Sequence, residues 1–190
     1  MRNNLIQYCN RFIRLTEEEE NLIKEVFRPK SLLRKEYLLE SGQKCDFIAF
    51  VEKGVIRHFH IKDGNEITCD ISLSNTFLTD FRSFNQQIPS EYFFQALKDT
   101  NLFLVNKMDL NRIYEESKNI ASFGRIMAEQ VAQRTVDIAQ SIASDKPEER
   151  LNKLLQNRPQ LFQEVPLRYI AHLIGISPES LSRLRARQKP

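Results

Sequence analysis

The spacing of apolar positions changes twice along the chain, and each change predicts a different kind of element. Apolar residues between positions 4 and 13 recur at helical spacing, which predicts a first helix. Thr16 and Glu19 then form the signature of a capping box, in which each side chain satisfies a backbone N–H at a helix start. The second helix is predicted to present one apolar face, made by Leu22, Ile23, Val26 and Phe27.

From about residue 29 to residue 107 the apolar period becomes two, which is the period of half-buried strands. Segments rich in Phe, Ile and Val predict short strands at 31–33, 37–39, 47–51, 55–61, 66–73, 92–97 and 102–105. Asp63-Gly64 between two of them is a strong hairpin signal. Short strands at this spacing predict a small antiparallel barrel or sandwich, and the jelly roll is one such architecture.

The pattern returns to helical spacing after residue 107, with a helix predicted at 108–117 and a longer one at 120–144. The long helix keeps one narrow stripe of apolar residues, which are Phe123, Met127, Val131, Ile138 and Ile142. A narrow stripe on an otherwise polar helix favours coiled-coil pairing, and hence a homodimer, although Arg134 and Thr135 interrupt the seam. Packing of the stripe on the barrel alone is the other interpretation.

A new segment begins after the long helix. Asp145, with Glu148 three residues later, predicts a capped helix start, and Asn157-Arg158-Pro159 predicts its end. Two further helices joined by a tight turn are then predicted, with apolar positions at Ile170, Leu173, Ile174, Leu181 and Leu184.

The turn between these last two helices has the residues of a helix-turn-helix. Gly175 can adopt the left-handed conformation that ends a helix. Ser177 suits an N-cap and Pro178 the first helical position. The second helix, at residues 177–186, is therefore predicted to read a major groove. A structural hairpin with a solvated polar face is the alternative.

Positive charge is concentrated in the same segment. Residues 165–190 carry one acidic residue, Glu179, against five basic residues, Arg168, Arg183, Arg185, Arg187 and Lys189, for a net charge of +4. The whole chain carries +3, so residues 1–164 carry −1. A cationic hairpin is what a phosphate-binding surface requires, and the predicted partner is double-stranded DNA.

The composition of the chain limits which other classes of protein it can belong to. The chain has 190 residues, 41% of them hydrophobic and 13 of them Phe, which is enough for a sizeable core. We expect a cytoplasmic protein without a membrane partner, because no apolar run spans a bilayer and the start lacks the pattern of a signal peptide. Cys9, Cys45 and Cys69 are scattered and match no metal spacing, so we expect reduced thiols, no bound metal and no cofactor.

His58 and His60 lie two apart on a predicted strand and therefore share a face. Such a pair in a barrel suggests a cupin-like metal or haem sensor whose helical hairpin mediates protein contacts, and this is the alternative function. The opposite face carries Val55, Phe59 and Ile61, which predicts that both histidines point into water. No nucleophile–base pair, P-loop or dinucleotide turn is present, so we expect no enzyme activity.

The order of barrel, long helix and helix-turn-helix resembles the Crp–Fnr family of bacterial transcription regulators. The resemblance is carried by Phe-Val-Glu-Lys-Gly at 50–54, Pro-Glu-Glu-Arg-Leu at 147–151 and residues 165–185. The last segment looks like the subgroup common in Bacteroidetes. The resemblance implies an α+β chain with a cyclic-nucleotide-binding-like jelly-roll barrel at 1–118, a dimerisation helix at 119–144 and an all-α helix-turn-helix domain at 145–190. It also implies a homodimer on a palindromic site, an effector of unknown identity and contact with RNA polymerase.

The same resemblance implies roles for the hairpin residues. Glu179 and Arg183 would reach base edges, because Arg donates to guanine and Glu accepts from cytosine. Ser182 would lie against bases or backbone. Apart from the resemblance, the helical pattern of residues 177–186 also predicts Arg185 on the outer face, where it can read base edges or hold phosphates. The residues implied to hold phosphates are Arg168, His172, Ser177 and Ser180.

One departure from the family concerns the effector pocket. Members that bind cyclic AMP carry Gly-Glu and, ten residues after the Glu, an Arg that pairs with the cyclic phosphate. The matching positions here are Thr79-Asp80 and Ser90, which is followed by Glu91. A serine cannot grip a phosphate as a guanidinium does, and a neighbouring carboxylate repels it. Arg82 is near in sequence but two residues from Asp80. The sequence therefore predicts no cyclic-nucleotide binding.

Overall fold

The computed structural model describes residues 3–187, which form two compact units. The first comprises residues up to 58 together with 71–130, and the second comprises 59–70 together with the residues from 131 onward. The division of the chain between residues 130 and 131 falls within one helix, residues 118–144. The three-part division at 118/119 and 144/145 stays a prediction.

Helices and antiparallel sheets both contribute, so the predicted α+β class is confirmed. The helices are α1 (Asn3–Cys9), α2 (Glu17–Val26), α3 (Phe81–Gln86), α4 (Lys107–Glu116), α5 (Lys118–Ser144), α6 (Pro147–Asn157), α7 (Leu161–Glu164), α8 (Leu167–Leu173) and α9 (Pro178–Arg187). The strands are β1 (Arg28–Leu32), β2 (Tyr37–Leu39), β3 (Phe47–Lys53), β4 (Val55–Lys62), β5 (Asn65–Leu73), β6 (Thr76–Leu78), β7 (Phe93–Ala96) and β8 (Thr100–Asn106).

The strands of the described residues form two four-stranded sheets, ordered β1-β8-β3-β6 and β2-β7-β4-β5. Each of the seven predicted strands is present, with ends shifted by up to three residues. Sequence reasoning missed β6 and α3. Three residues for β6 and six for α3 are too few to establish an apolar period, so neither element stands out in the sequence.

The core of the first unit lies on both faces of β3, because successive side chains of a strand point to opposite faces. Ala49 and Val51 pack into a cluster with Leu39, Phe94 and other residues of both sheets. Phe50 points the other way, into a cluster formed with α1, α2, α4 and the start of α5. Complete burial of three successive residues explains why this segment reads as an unbroken apolar run.

The capping box predicted at the start of α2 is confirmed. Thr16 N–H donates to Glu19 Oε2 at 2.9 Å, and Glu19 N–H donates to Thr16 Oγ1 at 3.3 Å. Glu19 also accepts from Ser117 Oγ at 2.6 Å and from Asn119 Nδ2 at 2.9 Å. One carboxylate therefore joins the start of α2 to the junction of α4 and α5.

The first turns of α5 pack within the first unit, which corrects part of the predicted dimer stripe. Phe123 is 8% exposed and contacts the rings of Phe12 and Phe77 at 6.0 and 5.9 Å between centroids. Met127 is partly buried against the same cluster. For Phe123 and Met127, the structure therefore agrees with the other interpretation, in which the apolar stripe packs on the barrel.

The second unit has its own core, made by apolar residues of α6 to α9 and of the segments that follow α7 and α8. Among residues 131–186, the buried apolar side chains are Leu151, Leu161, Val165, Ile170, Ala171, Ile174 and Leu181. The predicted cap at Asp145 is wrong, because the residue before α6 is Lys146, whose N–H donates to Glu149 Oε2 at 2.7 Å. Asp145 instead ends α5, with its N–H bonded to Ser141 O at 2.9 Å.

The prediction for the two histidines of β4 is also corrected. His58 is half-buried, its ring centroid lies 4.2 Å from that of Phe94, and its Nε2 lies 3.0 Å from Ser72 Oγ. His60 is half-buried as well, with Nδ1 at 3.0 Å from Cys69 Sγ. Ile61, predicted to face the core, is 56% exposed. The end of β4 extends past the core, so the alternation of apolar and polar residues no longer matches the alternation of buried and exposed side chains.

Candidate nucleic-acid interface

Helix α8 ends in the turn that the sequence predicted at Gly175. Gly175 has φ +69°, and its N–H donates to His172 O at 3.0 Å. Ile176 N–H donates to Ala171 O at 3.1 Å. This pair of bonds is the Schellman arrangement, which satisfies two carbonyls at the helix end and reverses the chain. Helix α9 therefore leaves α8 at a fixed angle.

Helix α9 starts with the predicted serine cap. Ser177 Oγ accepts from Ser180 N–H at 3.2 Å, and Pro178 is the first residue of the helix. The backbone N–H of Glu179, at the positive end of the helix, lowers the pKa of the Glu179 carboxyl, and the charge of Arg183 lowers it further. Glu179 is thus a carboxylate, an acceptor only, near neutral pH.

Three of the predicted reading residues lie together on the exposed face of α9. Glu179, Ser182 and Arg183 are exposed, and their spacing of three and four residues places them side by side. Ala186 lies on the same face and was missed, since a single alanine in a helix carries no sequence signal. The opposite face is anchored by Leu181, which is fully buried.

Arg185 does not share that face, contrary to the prediction that it points outward. It is half-buried, and its guanidinium carbon lies 5.9 Å from the centre of the Phe162 ring of α7. A cation over an aromatic face is favourable, and the contact turns Arg185 towards its own unit. Arg185 therefore lies apart from the face that carries Glu179, Ser182 and Arg183.

The predicted phosphate contacts of α8 have neighbours within the second unit. Arg168 is exposed, with its guanidinium carbon 4.8 Å from the centre of the Tyr169 ring and its NH2 donating to Tyr169 Oη at 3.0 Å. His172 Nδ1 accepts from Thr68 N–H at 3.1 Å. This bond orients the imidazole. Sequence reasoning missed it, because residues 68 and 172 are far apart in the chain.

Asp70, two residues after Thr68 on β5, binds two arginines. Asp70 Oδ1 accepts from Arg134 NH2 at 2.7 Å and from Arg158 NH1 at 3.1 Å. Burial lowers the pKa of Arg158, whereas the charge of Asp70 raises it. The hairpin of residues 59–70 is therefore held to the helices of the second unit by hydrogen bonds from β5.

The predicted effector positions of the first unit are bonded to one another. Ser90 Oγ donates to Asp80 Oδ2 at 2.6 Å, while Asp80 Oδ1 accepts from the N–H groups of Arg82 and Ser83 at 3.1 and 3.2 Å and so caps α3. Asp80 and Ser90 are both buried. Arg82 points to Glu91, with NH1 and Oε1 3.4 Å apart.

Thr79, the remaining predicted pocket residue, also turns its hydroxyl towards the protein. Its Oγ1 donates to Phe47 O at 2.8 Å and lies 3.4 Å from Cys45 Sγ. The backbone of this segment is thereby tied to the start of β3. The predicted pocket residues are thus brought close together, but as partners of the protein itself.

The second half of α5 presents exposed apolar side chains. Val131, Ile138 and Ile142 are 53%, 45% and 57% exposed, at the spacing of the predicted seam. Ile138 and Ile142 also border an open groove within the second unit, lined in part by Leu154 and Leu173. Val136 is 49% exposed on another side of the helix.

Within residues 3–187, no three His, Cys, Asp or Glu side chains come together as a group able to hold a metal ion. Over the same residues, no helix combines the length and the apolar character that crossing a membrane demands.

The architecture has many counterparts among solved structures. FixK2 from Bradyrhizobium japonicum superposes with a TM-score of 0.74 at 16% identity, over 85% of this chain and 84% of that one. A CooA mutant from Carboxydothermus hydrogenoformans gives 0.70 at 18% identity, over 92% and 81%. A protein from Eubacterium rectale described as a transcriptional regulator of the Crp/Fnr family gives 0.66 at 17% identity, over 91% and 83%. The chain has the Crp–Fnr fold. No protein-family model and no curated protein matches its sequence.

The Crp–Fnr fold confirms the predicted architecture, with a cyclic-nucleotide-binding-like barrel, a long helix and a C-terminal helix-turn-helix. The superpositions, at identities of 16–18%, establish the fold alone.

Proposed function

We propose that the protein is a cytoplasmic DNA-binding transcription regulator of the Crp–Fnr type, acting as a homodimer on a near-palindromic site. The observation that carries the proposal is the exposed face of α9, where Glu179, Ser182 and Arg183 stand side by side on a capped helix held by a buried leucine. A polar, rigidly mounted helix face is what direct reading of base edges requires.

The chemistry of this face assigns the roles. Arg183 donates two hydrogen bonds to O6 and N7 of guanine, and Glu179 accepts from N4 of cytosine. Ser182 contacts a base or the backbone beside them. Phosphates are held by the residues at the helix starts and on α8, which are Arg168, His172, Ser177 and Ser180. These contacts position the helix without reading sequence.

Dimerisation is proposed to use the exposed half of the apolar stripe, Val131, Ile138 and Ile142. Three half-exposed aliphatic side chains at seam spacing on one helix favour a second copy of the same helix as their partner. A two-fold dimer of this kind presents its two recognition helices about 34 Å apart, one turn of DNA.

The barrel is proposed to respond to an effector other than a cyclic nucleotide. The phosphate-pairing arginine is absent, and Asp80 already accepts from Ser90, Arg82 and Ser83. Arg82, the nearby cation in the sequence, is already paired with Glu91. As a regulator, the protein is further proposed to contact RNA polymerase.

Fluorescence anisotropy with a labelled duplex of random sequence, at low and at moderate salt, tests the class of function. We expect binding at low salt that weakens steeply as salt rises, since each neutralised phosphate releases counterions. A protein whose hairpin mediates only protein contacts would leave the duplex unbound at both salt concentrations, and that outcome would overturn the proposal.

A further inference from the structure

Arg150 of α6 hydrogen-bonds two carbonyls that are far apart in the chain. Its Nε donates to Ile174 O at 2.7 Å, and its NH1 donates to Asp145 O at 2.6 Å. Asp145 follows the last residue of α5, and Ile174 lies immediately before the Gly175 turn. One guanidinium therefore joins the end of the long helix to the turn that leads into α9.

Both acceptors lie at helix C-termini, where backbone carbonyls lack partners in their own helix and the helix dipole is negative. Arginine suits this place because its donors have a fixed, planar arrangement and its charge strengthens both bonds. A second residue of α6, Lys153, donates to Asp145 Oδ2 at 2.6 Å. The end of α5 is thus fixed to α6 through the main chain and the side chain of one residue.

Several other contacts of this region are apolar. Leu151, Ile174 and Leu181 pack in the core of the second unit, and such packing is not directional. The bonds of Arg150 are directional, and they join the end of α5 to the end of α8, from which the Gly175 turn leads into α9. The added Cβ of a residue replacing Gly175 would lie 3.9 Å from Arg150 NH2, so the guanidinium also lies against the turn itself.

We propose that Arg150 is a positioning residue that fixes the orientation of α9 relative to α5 and thereby sets the spacing of half-sites that the dimer accepts. The proposal rests on the proposed function. A change of one base pair in the spacer moves a half-site by about 3.4 Å and rotates it by about 35°. A reader with a fixed orientation discriminates against that change, whereas a loosened one does not.

The test compares Arg150→Met, Arg150→Lys and the parent on three kinds of duplex. These are the palindrome selected by the parent from random DNA, the same palindrome with its spacer lengthened or shortened by one base pair, and a single half-site. Methionine removes the donors, and lysine retains the charge without the two-pronged geometry. Arg125→Met is the control, because Arg125 forms an exposed pair with Glu129 on α5.

We expect the parent and Arg125→Met to prefer the selected spacing by about tenfold or more, which corresponds to 1.4 kcal/mol. Both Arg150 variants should discriminate by less than about threefold while binding the single half-site as the parent does. A role limited to general stability would not change this ratio.

Two outcomes overturn the proposal in different ways. If folded Arg150 variants keep the spacing preference of the parent, Arg150 does not set the spacing, and DNA binding stands. If the parent binds none of the duplexes, the proposed function fails and the proposal falls with it. Thermal melting identifies a variant that does not fold, and Arg150→Lys then decides the question, since it retains the size and charge of the side chain.

Discussion

Ser90 donates a hydrogen bond of 2.6 Å to Asp80, and both side chains are buried. The resemblance to Crp–Fnr members that bind cyclic AMP predicts these two positions as part of an effector pocket. Here they hold each other. The bond makes both side chains part of the barrel's own structure, because Asp80 caps α3 at the same time.

The first prediction concerns this bond. Ser90→Ala leaves a buried carboxylate with one donor fewer, and we expect the free energy of unfolding to fall by about 1.5–3 kcal/mol, the range for hydrogen bonds to charged groups. Urea denaturation measures the change. Ser31→Ala is the control, because it removes an exposed hydroxyl bonded to Asn101 and should change stability by less than about 0.5 kcal/mol.

The pairing also predicts the outcome of ligand titration. Isothermal titration of the parent with cyclic AMP or cyclic GMP should show no binding in the micromolar range, because Ser90 stands where the phosphate-pairing arginine is expected and Arg82 is paired with Glu91. Micromolar or tighter binding of either nucleotide would show that the barrel recognises the phosphate in another way.

The next prediction concerns the dimer. Val131→Glu and Ile138→Glu place a charge on the proposed seam, and we expect each to convert the dimer into a monomer in sedimentation equilibrium. Val136→Glu is a matched control. It changes a valine of similar exposure that lies about 140° around the helix from Val131, and it should leave the mass unchanged.

An identical mass for the parent and all three variants would place the dimer interface elsewhere or exclude a dimer. Loss of the dimer in the Val136 variant alone would move the seam to that side of α5.

Two glycines with positive φ predict different costs of substitution. Gly54 has φ +128°, and an added Cβ would lie 2.7 Å from Thr100 Cα, inside contact distance. Gly175 has φ +69°, with no atom nearer than 3.9 Å among those a Cβ would meet. We expect Gly175→Ala to cost about 1–2 kcal/mol for the backbone alone. Gly54→Ala should cost more, because a clash with the backbone adds about 1–3 kcal/mol. Equal shifts in urea denaturation would contradict this ranking.

The pH dependence of stability contains a contribution from Glu19. Burial raises the pKa of this carboxyl, but hydrogen bonds from Ser117, the backbone of Thr16 and Asn119 outweigh burial and lower it. A lowered folded-state pKa stabilises the protein above the unfolded value of about 4.3, and the effect is lost as the pH falls through the folded value.

Glu19→Gln should therefore lower the free energy of unfolding at pH 7, and the difference from the parent should shrink below about pH 4.3. Denaturation series at several pH values measure this difference. Glu115→Gln makes the same charge change at an exposed position of α4 and serves as the control. A difference that stays constant down to the acid limit would show that the loss is not caused by the ionised carboxylate.

Features set by neighbouring residues were predictable from the sequence. The capping box of Thr16 and Glu19 and the turn at Gly175 depend on contacts within a few residues. Asp63 and Gly64 both have positive φ, as a two-residue hairpin turn demands. In each case the signal and the structure involve the same short segment.

Features that depend on how helices and strands pack against one another were not predictable. Asp145 has the residue type and spacing of a cap, yet Lys153 and Ser141 occupy its carboxylate. His58 is half-buried because Ser72 and Phe94 lie beside it. The bonds of Arg150 depend on the packing of α6 against both helix ends. The spacing of apolar residues along the chain does not indicate which polar side chains will pair in the folded protein.

The proposed reading of bases by α9 makes a prediction for single residues. Arg183→Ala should lose discrimination at one base pair of each half-site, at a cost of about 1–3 kcal/mol. Arg168→Ala is the matched comparison, since it removes a proposed phosphate contact. It should weaken binding to all sequences alike and reduce the salt slope by about one.

Selection of bound sequences from a random duplex pool tests the central claim most directly, with the parent and Arg183→Ala compared in parallel. The account predicts that the parent enriches two inverted half-sites about one helical turn apart, and that the variant loses enrichment at one position of each. No enrichment by the parent at low salt, or the same motif bound equally well by Arg183→Ala, would contradict it.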